Sequence, residues 1–405
     1  MSKARKFEDI TTTGIFLAVV FGLCVFSLYA FTKPADQMLT QEHRLPTPLP
    51  KVRPNLQSIK RATTAFDKCF IDRLALRTEL VAGRNLLIAK TFMVSPSTAV
   101  LIGKNDWLYY MGDGDNETLR HSHLFNEETL LAWKNALEEQ NDWLAARGIK
   151  YAFVLAPSKC TIYPEYVPPQ YTQINTQSRA DQLVAYLRKN TSIDVIDLRQ
   201  PLIEKKSEGQ LYLKTDTHWN KFGAMLASNI VIHHLLSSFP NIKEGLASKE
   251  YSVTTKLIEH GDLAGLMGLD GFISENGPLL SRAGGEGWKL SHNPPMPRMG
   301  DPRDIYKPLA TMCVPIDTTL PKVLLFGDSF SVPLVAYLAP HFNRIYLDRD
   351  FKDRPEGRFV IDTVEKEKPD IVIQELTERK LMLPPPKNPR ELCERLSQSK
   401  PSSIY

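Results

Sequence analysis

Lys322-Val323-Leu324-Leu325-Phe326 runs directly into Gly327-Asp328-Ser329-Phe330-Ser331, and this junction decides how the chain is read. An uninterrupted apolar run of this length fits a strand buried on both faces of a parallel sheet, where side chains need not alternate with polar ones. A serine just past the carboxyl end of such a strand sits where open α/β sheets place their ligands. Gly327 permits a tight turn, from which Ser329 projects. The backbone N–H groups of Ser329 and Phe330 are then the candidates for meeting a developing oxyanion. A hydroxyl is a weak nucleophile at neutral pH and needs a base. Asp328, Ser329 and Ser331 are also good helix caps, so the pentapeptide alone leaves both readings open.

Outward from this strand the chain alternates. Residues 150–156, 193–198, 343–347 and 370–374 read as further short apolar strands. Residues 127–147, 178–189, 221–236 and 359–367 read as helices. Helices alternating with short strands imply an α/β fold, a parallel sheet flanked by helices on both faces. Residues 57–92 carry one long helical pattern, and 99–110 looks like a hairpin turning at Gly103-Lys104-Asn105-Asp106. Residues 248–321 hold many Gly and Pro with few periodic runs, and read as an irregular insertion near one edge of the site.

The base is sought in Thr215-Asp216-Thr217-His218-Trp219-Asn220, just ahead of the helical pattern from 221. In an extended segment residues i and i+2 face the same side. Asp216 can then accept from His218 Nδ1–H, fixing the tautomer and leaving Nε2 to take a proton from Ser329. Asn220 as a helix cap explains one of these residues and leaves Asp216, His218 and Trp219 unexplained. Together the two segments supply nucleophile, base and orienter, and both are expected at one sheet edge.

Composition narrows the classes. Of 405 residues 42% are hydrophobic, enough for a sizeable core. The net charge of +4 comes from 50 basic residues interspersed with 46 acidic ones, without the basic run of a nucleic-acid footprint. Gly14 to Phe31 is free of charge, and Lys3, Arg5 and Lys6 precede it. A helix needs roughly 20 apolar residues to cross a bilayer, and the positive flank keeps the N-terminus cytoplasmic. A cleaved signal peptide is the alternative, for which Leu28 and Tyr29 are bulky. The expected order is a cytoplasmic tail 1–13, a transmembrane anchor 14–32, a proline-rich linker 33–55, a catalytic domain 56–384 containing the insertion 248–321, and a tail 385–405. Cys24 lies in the apolar span. Cys69, Cys160, Cys313 and Cys393 would face an oxidising compartment, where three pairings are open and none is required. No spacing suggests a zinc site, and neither metal nor cofactor is expected.

The strand-G-D-S junction, with D-x-H ahead of a helix beginning K-F-G, resembles the SGNH/GDSL hydrolase superfamily. The D-T-H-W-N form, and the order that puts Asp216 and His218 before Ser329, resemble the alginate O-acetyltransferase family of AlgJ/AlgX type. Phe70 to Arg77, Ile102 to Tyr110, Ala156 to Lys159, Gly261 to Ala264 and Glu375 to Arg379 fit the same family in the same order. The resemblance implies a permuted SGNH-hydrolase-like sheet. It implies acetyl transfer to exopolysaccharide hydroxyls through Ser329, His218 and Asp216, in the periplasm on an inner-membrane anchor. It also implies a membrane-bound O-acyltransferase as the partner that delivers the acetyl group. The Asn of the usual hydrolase consensus is not placed by the sequence, so the full set of oxyanion donors stays open.

Four more residues are candidates for substrate contact. Trp219 offers an aromatic face to a sugar ring, or a core side chain over the helix. Lys159 and Tyr163 follow the 150–156 strand and either line the cleft or occupy a solvated loop. Arg379 contacts polymer or pairs with Glu375 or Glu378. The rival functions are a carbohydrate acetylesterase of the same fold, and a non-catalytic polysaccharide-binding subunit of a membrane synthesis complex.

Overall fold

The structure, a computed structural model, describes residues 10–18, 21–22, 25, 47–51, 56–72, 77–242, 251–282, 289–292, 311–314, 319–349 and 359–386. The helical pattern 57–92 resolves into two helices, α1 (Leu56–Asp72) and α2 (Arg77–Phe92). Next come the antiparallel pair β1 (Val100–Ile102) and β2 (Leu108–Tyr110), with a 3-10 turn over Lys104–Asp106 as the turn composition predicts. The α/β part follows: α3 (Asp115–Arg120), α4 (Glu127–Ala145), β3 (Lys150–Ala156), α5 (Lys159–Ile162), α6 (Arg179–Asn190), β4 (Asp194–Asp197), α7 (Arg199–Glu204) and α8 (Lys221–Leu235). After these come β5 (Tyr251–Ile258), α9 (Asp262–Leu266), β6 (Glu275–Arg282), β7 (Lys289–His292) and β8 (Thr311–Val314). The chain continues with β9 (Lys322–Gly327), α10 (Ser331–Leu338), β10 (Arg344–Arg349), α11 (Ile361–Glu367) and β11 (Ile371–Thr377).

The main sheet runs β4-β3-β11-β9-β10-β8-β7. Its first five strands are mutually parallel, with β9 paired to β11 on one side and β10 on the other. Alternation along β3 explains why both faces are covered. Tyr151, Phe153 and Leu155 join Trp133, Leu137 and Leu187 of α4 and α6 on one face. Ala152, Val154 and Ala156 join Met225, Val231 and Leu334 of α8 and α10 on the other. Fully burying one large apolar side chain contributes about 1.5–3 kcal/mol, so these two layers fix the strand order that carries the site.

The insertion 248–321 is more regular than its composition predicts. β5 and β6 pair antiparallel along their whole length, and β7 and β8 extend the main sheet antiparallel beyond β10. The β-branched run Val253-Thr254-Thr255 carried the strand signal for β5, but nearby Gly and Pro residues obscured it.

Most of the predicted anchor and linker, and the C-terminal tail from 387, lie outside the described residues. Among the described residues no helix is long and apolar enough to cross a membrane. Cys160 is a buried free thiol and Cys69 is buried; Cys24 and Cys393 lie outside the described residues.

Candidate active site

The carboxyl ends of β3, β9 and β11 share one edge of the sheet. β9 delivers Gly327-Asp328-Ser329, β11 delivers Glu378 and Arg379, and β3 delivers Ser158 and Lys159. The G-D-S turn is braced from β11. Glu375 Oε2 accepts the Asp328 N–H at 3.1 Å and the Ser331 hydroxyl at 2.6 Å. Asp328 Oδ2 accepts the Thr377 hydroxyl at 2.6 Å. A side chain at position 327 would not fit, because a Cβ there would lie 1.8 Å from Ser331 Oγ and 2.7 Å from Glu375 Oε2.

The Asp216–His218 segment reaches this edge as a pinned loop ahead of α8. Asn220 caps the helix by accepting the Gly223 N–H at 3.0 Å. Tyr212 bridges to Trp219. Glu275 accepts the N–H groups of Lys214 and Thr215 at 2.8 and 2.7 Å. From beneath, the Lys159 ammonium donates to the carbonyls of Leu213, Lys214 and Asp216 at 3.1, 3.0 and 2.7 Å.

These restraints bring the three predicted side chains together. His218 Nε2 lies 2.7 Å from Ser329 Oγ, and His218 Nδ1 lies 2.9 Å from Asp216 Oδ1. Asp216 Oδ1 also accepts the His218 backbone N–H at 2.8 Å, an Asx turn, so the segment bends at Thr217 and His218 rather than running extended as the spacing predicts, and the turn still puts both side chains on one side. Ser329 and His218 are half-buried, open enough for a substrate to reach. Burial works against the imidazolium, but the hydrogen bond and charge of Asp216, with Asp262 behind, outweigh it and raise His218 above its ordinary value. Burial likewise opposes the Asp216 carboxylate, and the bond to His218 and its charge hold it below the usual aspartate value. A serine, a poised base and an orienting carboxylate can carry out nucleophilic acyl transfer.

Several candidates sit elsewhere than the sequence suggests. The Phe330 N–H donates to Asp328 Oδ1 at 2.9 Å, so it is spent on the turn and is not free for an oxyanion. The Ser329 N–H has no partner among the described residues. Lys159 is buried rather than cleft-lining, and burial pushes its ammonium down to about 8. Tyr163 is buried against Trp107, with ring centroids 4.3 Å apart, and its hydroxyl accepts the Leu211 N–H at 2.9 Å. Trp219 is only 3% exposed and packs edge-on to Phe330 at 5.1 Å, so it presents no face to a sugar. Arg379 pairs with neither Glu375 nor Glu378. It donates to Asp115 Oδ2 at 3.2 Å and lies over the rings of Tyr110 and Phe330, buried at the edge of the site. Glu378 instead lies 3.6 Å from Arg199 and accepts the Ser158 N–H.

Asp262, not predicted as a site residue, approaches His218 Nδ1 to 3.5 Å. Asp216, His218 and Asp262 offer ligand atoms within 4.8 Å of one another. His218 Nδ1 and Asp216 Oδ1 already satisfy each other, however, and the grouping is a hydrogen-bonded one. A cavity of about 810 Å3 opens farther along the same edge, lined by Thr161, Pro164, Tyr171, Arg199 and Glu378 among others, and does not include the triad.

Residues 100–282 match the family model described as SGNH hydrolase-like domain, acetyltransferase AlgX. The chain resembles the AlgJ/AlgX-type alginate O-acetyltransferases. The AlgX-type match contains Asp216, His218 and Asp262 and ends before Ser329, so the serine is assigned by its distance to His218. The chain is 29% identical over 222 residues to the probable alginate O-acetylase AlgJ of Pseudomonas syringae pv. tomato, covering 53% of this chain and 52% of that protein. It is 25% identical over 169 residues to the probable alginate O-acetylase AlgJ of Azotobacter vinelandii, covering 40% of each. The chain thus spans about half the length, or less, of these AlgJ relatives. The structure of Bacillus cereus PatB1 with a sulfonyl adduct superposes with a TM-score of 0.50 at 15% identity, over 71% of this chain and 100% of that one. That likeness shows the α/β fold alone.

Proposed function

We propose that this chain is an O-acetyltransferase that moves acetyl groups onto hydroxyls of an exopolysaccharide through an acetyl-Ser329 intermediate. The observation that carries the reading is the 2.7 Å approach of His218 Nε2 to Ser329 Oγ, with Asp216 bonded to the other ring nitrogen. His218 takes the Ser329 proton as Oγ attacks the acetyl carbonyl. The carbonyl re-forms, the bond to the leaving group breaks, and His218 returns the proton to it. A sugar hydroxyl then attacks the acetyl-serine, His218 accepts its proton, and the acetylated sugar leaves as Ser329 regains a hydrogen. The Ser329 N–H, without a partner among the described residues, is one donor toward the oxyanion.

The apolar stretch from Gly14 to Phe31 supports a membrane-anchored domain facing the periplasm. In this reading a membrane-bound O-acyltransferase is the acetyl source. The names of the AlgJ relatives make a polyuronate the first acceptor to test.

Incubation with p-nitrophenyl acetate followed by peptide mass spectrometry tests the mechanism. An acetyl adduct is expected on Ser329 in the wild type, with none in Ser329→Ala and sharply slowed formation in His218→Ala. Added oligouronate should then receive the acetyl group. Release of free acetate alone would make the chain an esterase, and no adduct at Ser329 would end the acyl-enzyme reading.

A further inference from the structure

A second carboxylate faces the imidazole. Asp216 Oδ1 already serves two donors, the His218 backbone N–H and Nδ1. Asp262 Oδ2 looks at the same Nδ1 from 3.5 Å and accepts no other bond among the described residues. Asp262 Oδ1 accepts the Thr217 N–H at 2.7 Å and the Thr217 hydroxyl at 3.0 Å. The Asp262 N–H donates to Asp216 Oδ2 at 3.2 Å. Each carboxylate is therefore held by the segment that carries the other.

The two segments are in close contact. The N–H groups of Leu263 and Ala264 reach Thr215 O at 3.1 and 3.3 Å. A Cβ on Gly261 would lie 2.4 Å from that oxygen, so only glycine allows this approach. The start of α9 is thereby fixed against the Asp216–His218 loop, and Asp262 cannot swing away without breaking backbone hydrogen bonds.

Resting on the acyl-transfer reading above, we propose that Asp262 is a positioning residue of this centre: it holds the His218 ring against Asp216 and shares the stabilisation of the imidazolium. The groups facing His218 are Asp216 from its own loop, Asp262 from α9, the Ser329 hydroxyl after β9, and Arg379 after β11; Lys159 touches the Asp216 carbonyl from beneath. Arg379 opposes the imidazolium, and the two carboxylates favour it. A carboxylate at this distance, partly screened because Asp262 is exposed, changes the imidazole midpoint by about 1 pH unit.

The test is an NMR titration of the His218 imidazole in the intact chain, beside the pH profile of acetyl-ester turnover. Asp262→Asn keeps an acceptor for Thr217 and removes the charge. It should lower the His218 midpoint by about 1 pH unit, carry the acid limb of kcat/KM down with it, and reduce kcat more than it changes KM. Thr217→Val removes one Asp262 contact without touching charge and should leave the midpoint in place. Asp262→Ser, which also keeps an acceptor oxygen, is read the same way if D262N does not fold. An unchanged His218 midpoint in D262N, or an equal fall in T217V, overturns the proposal. The titration needs no substrate, so failure to find acetyl-Ser329 would sink the transferase reading and leave this measurement intact.

Discussion

Replacing Lys159 by methionine keeps an unbranched apolar stem and deletes an ammonium that holds three carbonyls of the Asp216–His218 loop. Those bonds, at 3.1, 3.0 and 2.7 Å, run to Leu213, Lys214 and Asp216. Hydrogen bonds to a charged group contribute about 1.5–3 kcal/mol each. Against them stands the burial of the charge. The fall from the ordinary 10.5 to about 8 amounts to roughly 3 kcal/mol against the charged form. The net loss for K159M is then about 2–6 kcal/mol of stability. Circular dichroism should show a folded chain with a lowered melting temperature. The pH dependence has a definite sign. Between about pH 8 and 10.5 the unfolded chain holds more protons at this lysine than the folded one, so its burial cost is full below that window and is relieved as pH rises through it. The stability gap between wild type and K159M should widen across the same window.

Catalysis discriminates more sharply. A loosened loop displaces His218 from Ser329, and misplacement by about 1 Å costs roughly 100-fold in rate. Steady-state turnover of an acetyl ester should therefore show kcat down by about that factor with KM nearly unchanged. If Lys159 instead contacted substrate, KM would rise while kcat held. Either that pattern, or a folded K159M with kcat within about threefold of wild type, would refute the bracing role.

Two further outcomes follow from the geometry. His218 must be neutral to act as base, and its value is raised above the ordinary 6.5, so kcat/KM for an acetyl ester should fall on the acid side with a midpoint above 6.5; a midpoint at or below it would contradict the Asp216 and Asp262 contributions. Trp219 is packed against Phe330 rather than open to sugar, so Trp219→Phe should cost about 1 kcal/mol of stability and leave KM for an oligosaccharide acceptor nearly unchanged; a tenfold rise in KM would restore the sugar-platform role.

Local features were legible in the order of residues. Runs such as 151–156 and 323–326 are strands because their side chains are apolar on both faces, and β3 and β9 appear where those runs lie, each opened by a lysine that is not buried. The Asp216–His218 pair is legible from its i, i+2 spacing, but the 2.9 Å bond is made across a bend in which Asp216 also takes the His218 N–H, not along an extended segment. Ser329 is legible from the strand and glycine before it. The rest came from packing, because it depends on contacts between residues far apart in the chain. Lys159 looked like a loop residue, and burial beneath the loop at Leu213 to Asp216 made it a brace. Phe330 looked like an oxyanion donor until the Asp328 carboxylate, itself pinned by Thr377, took its N–H. Arg379 found Asp115 rather than its sequence neighbours. Asp262 reached His218 only because Gly261 lets α9 close on Thr215. Local pattern fixes which faces are apolar and which residue types can react; which polar groups meet is set by how the packed layers bring loops to one edge.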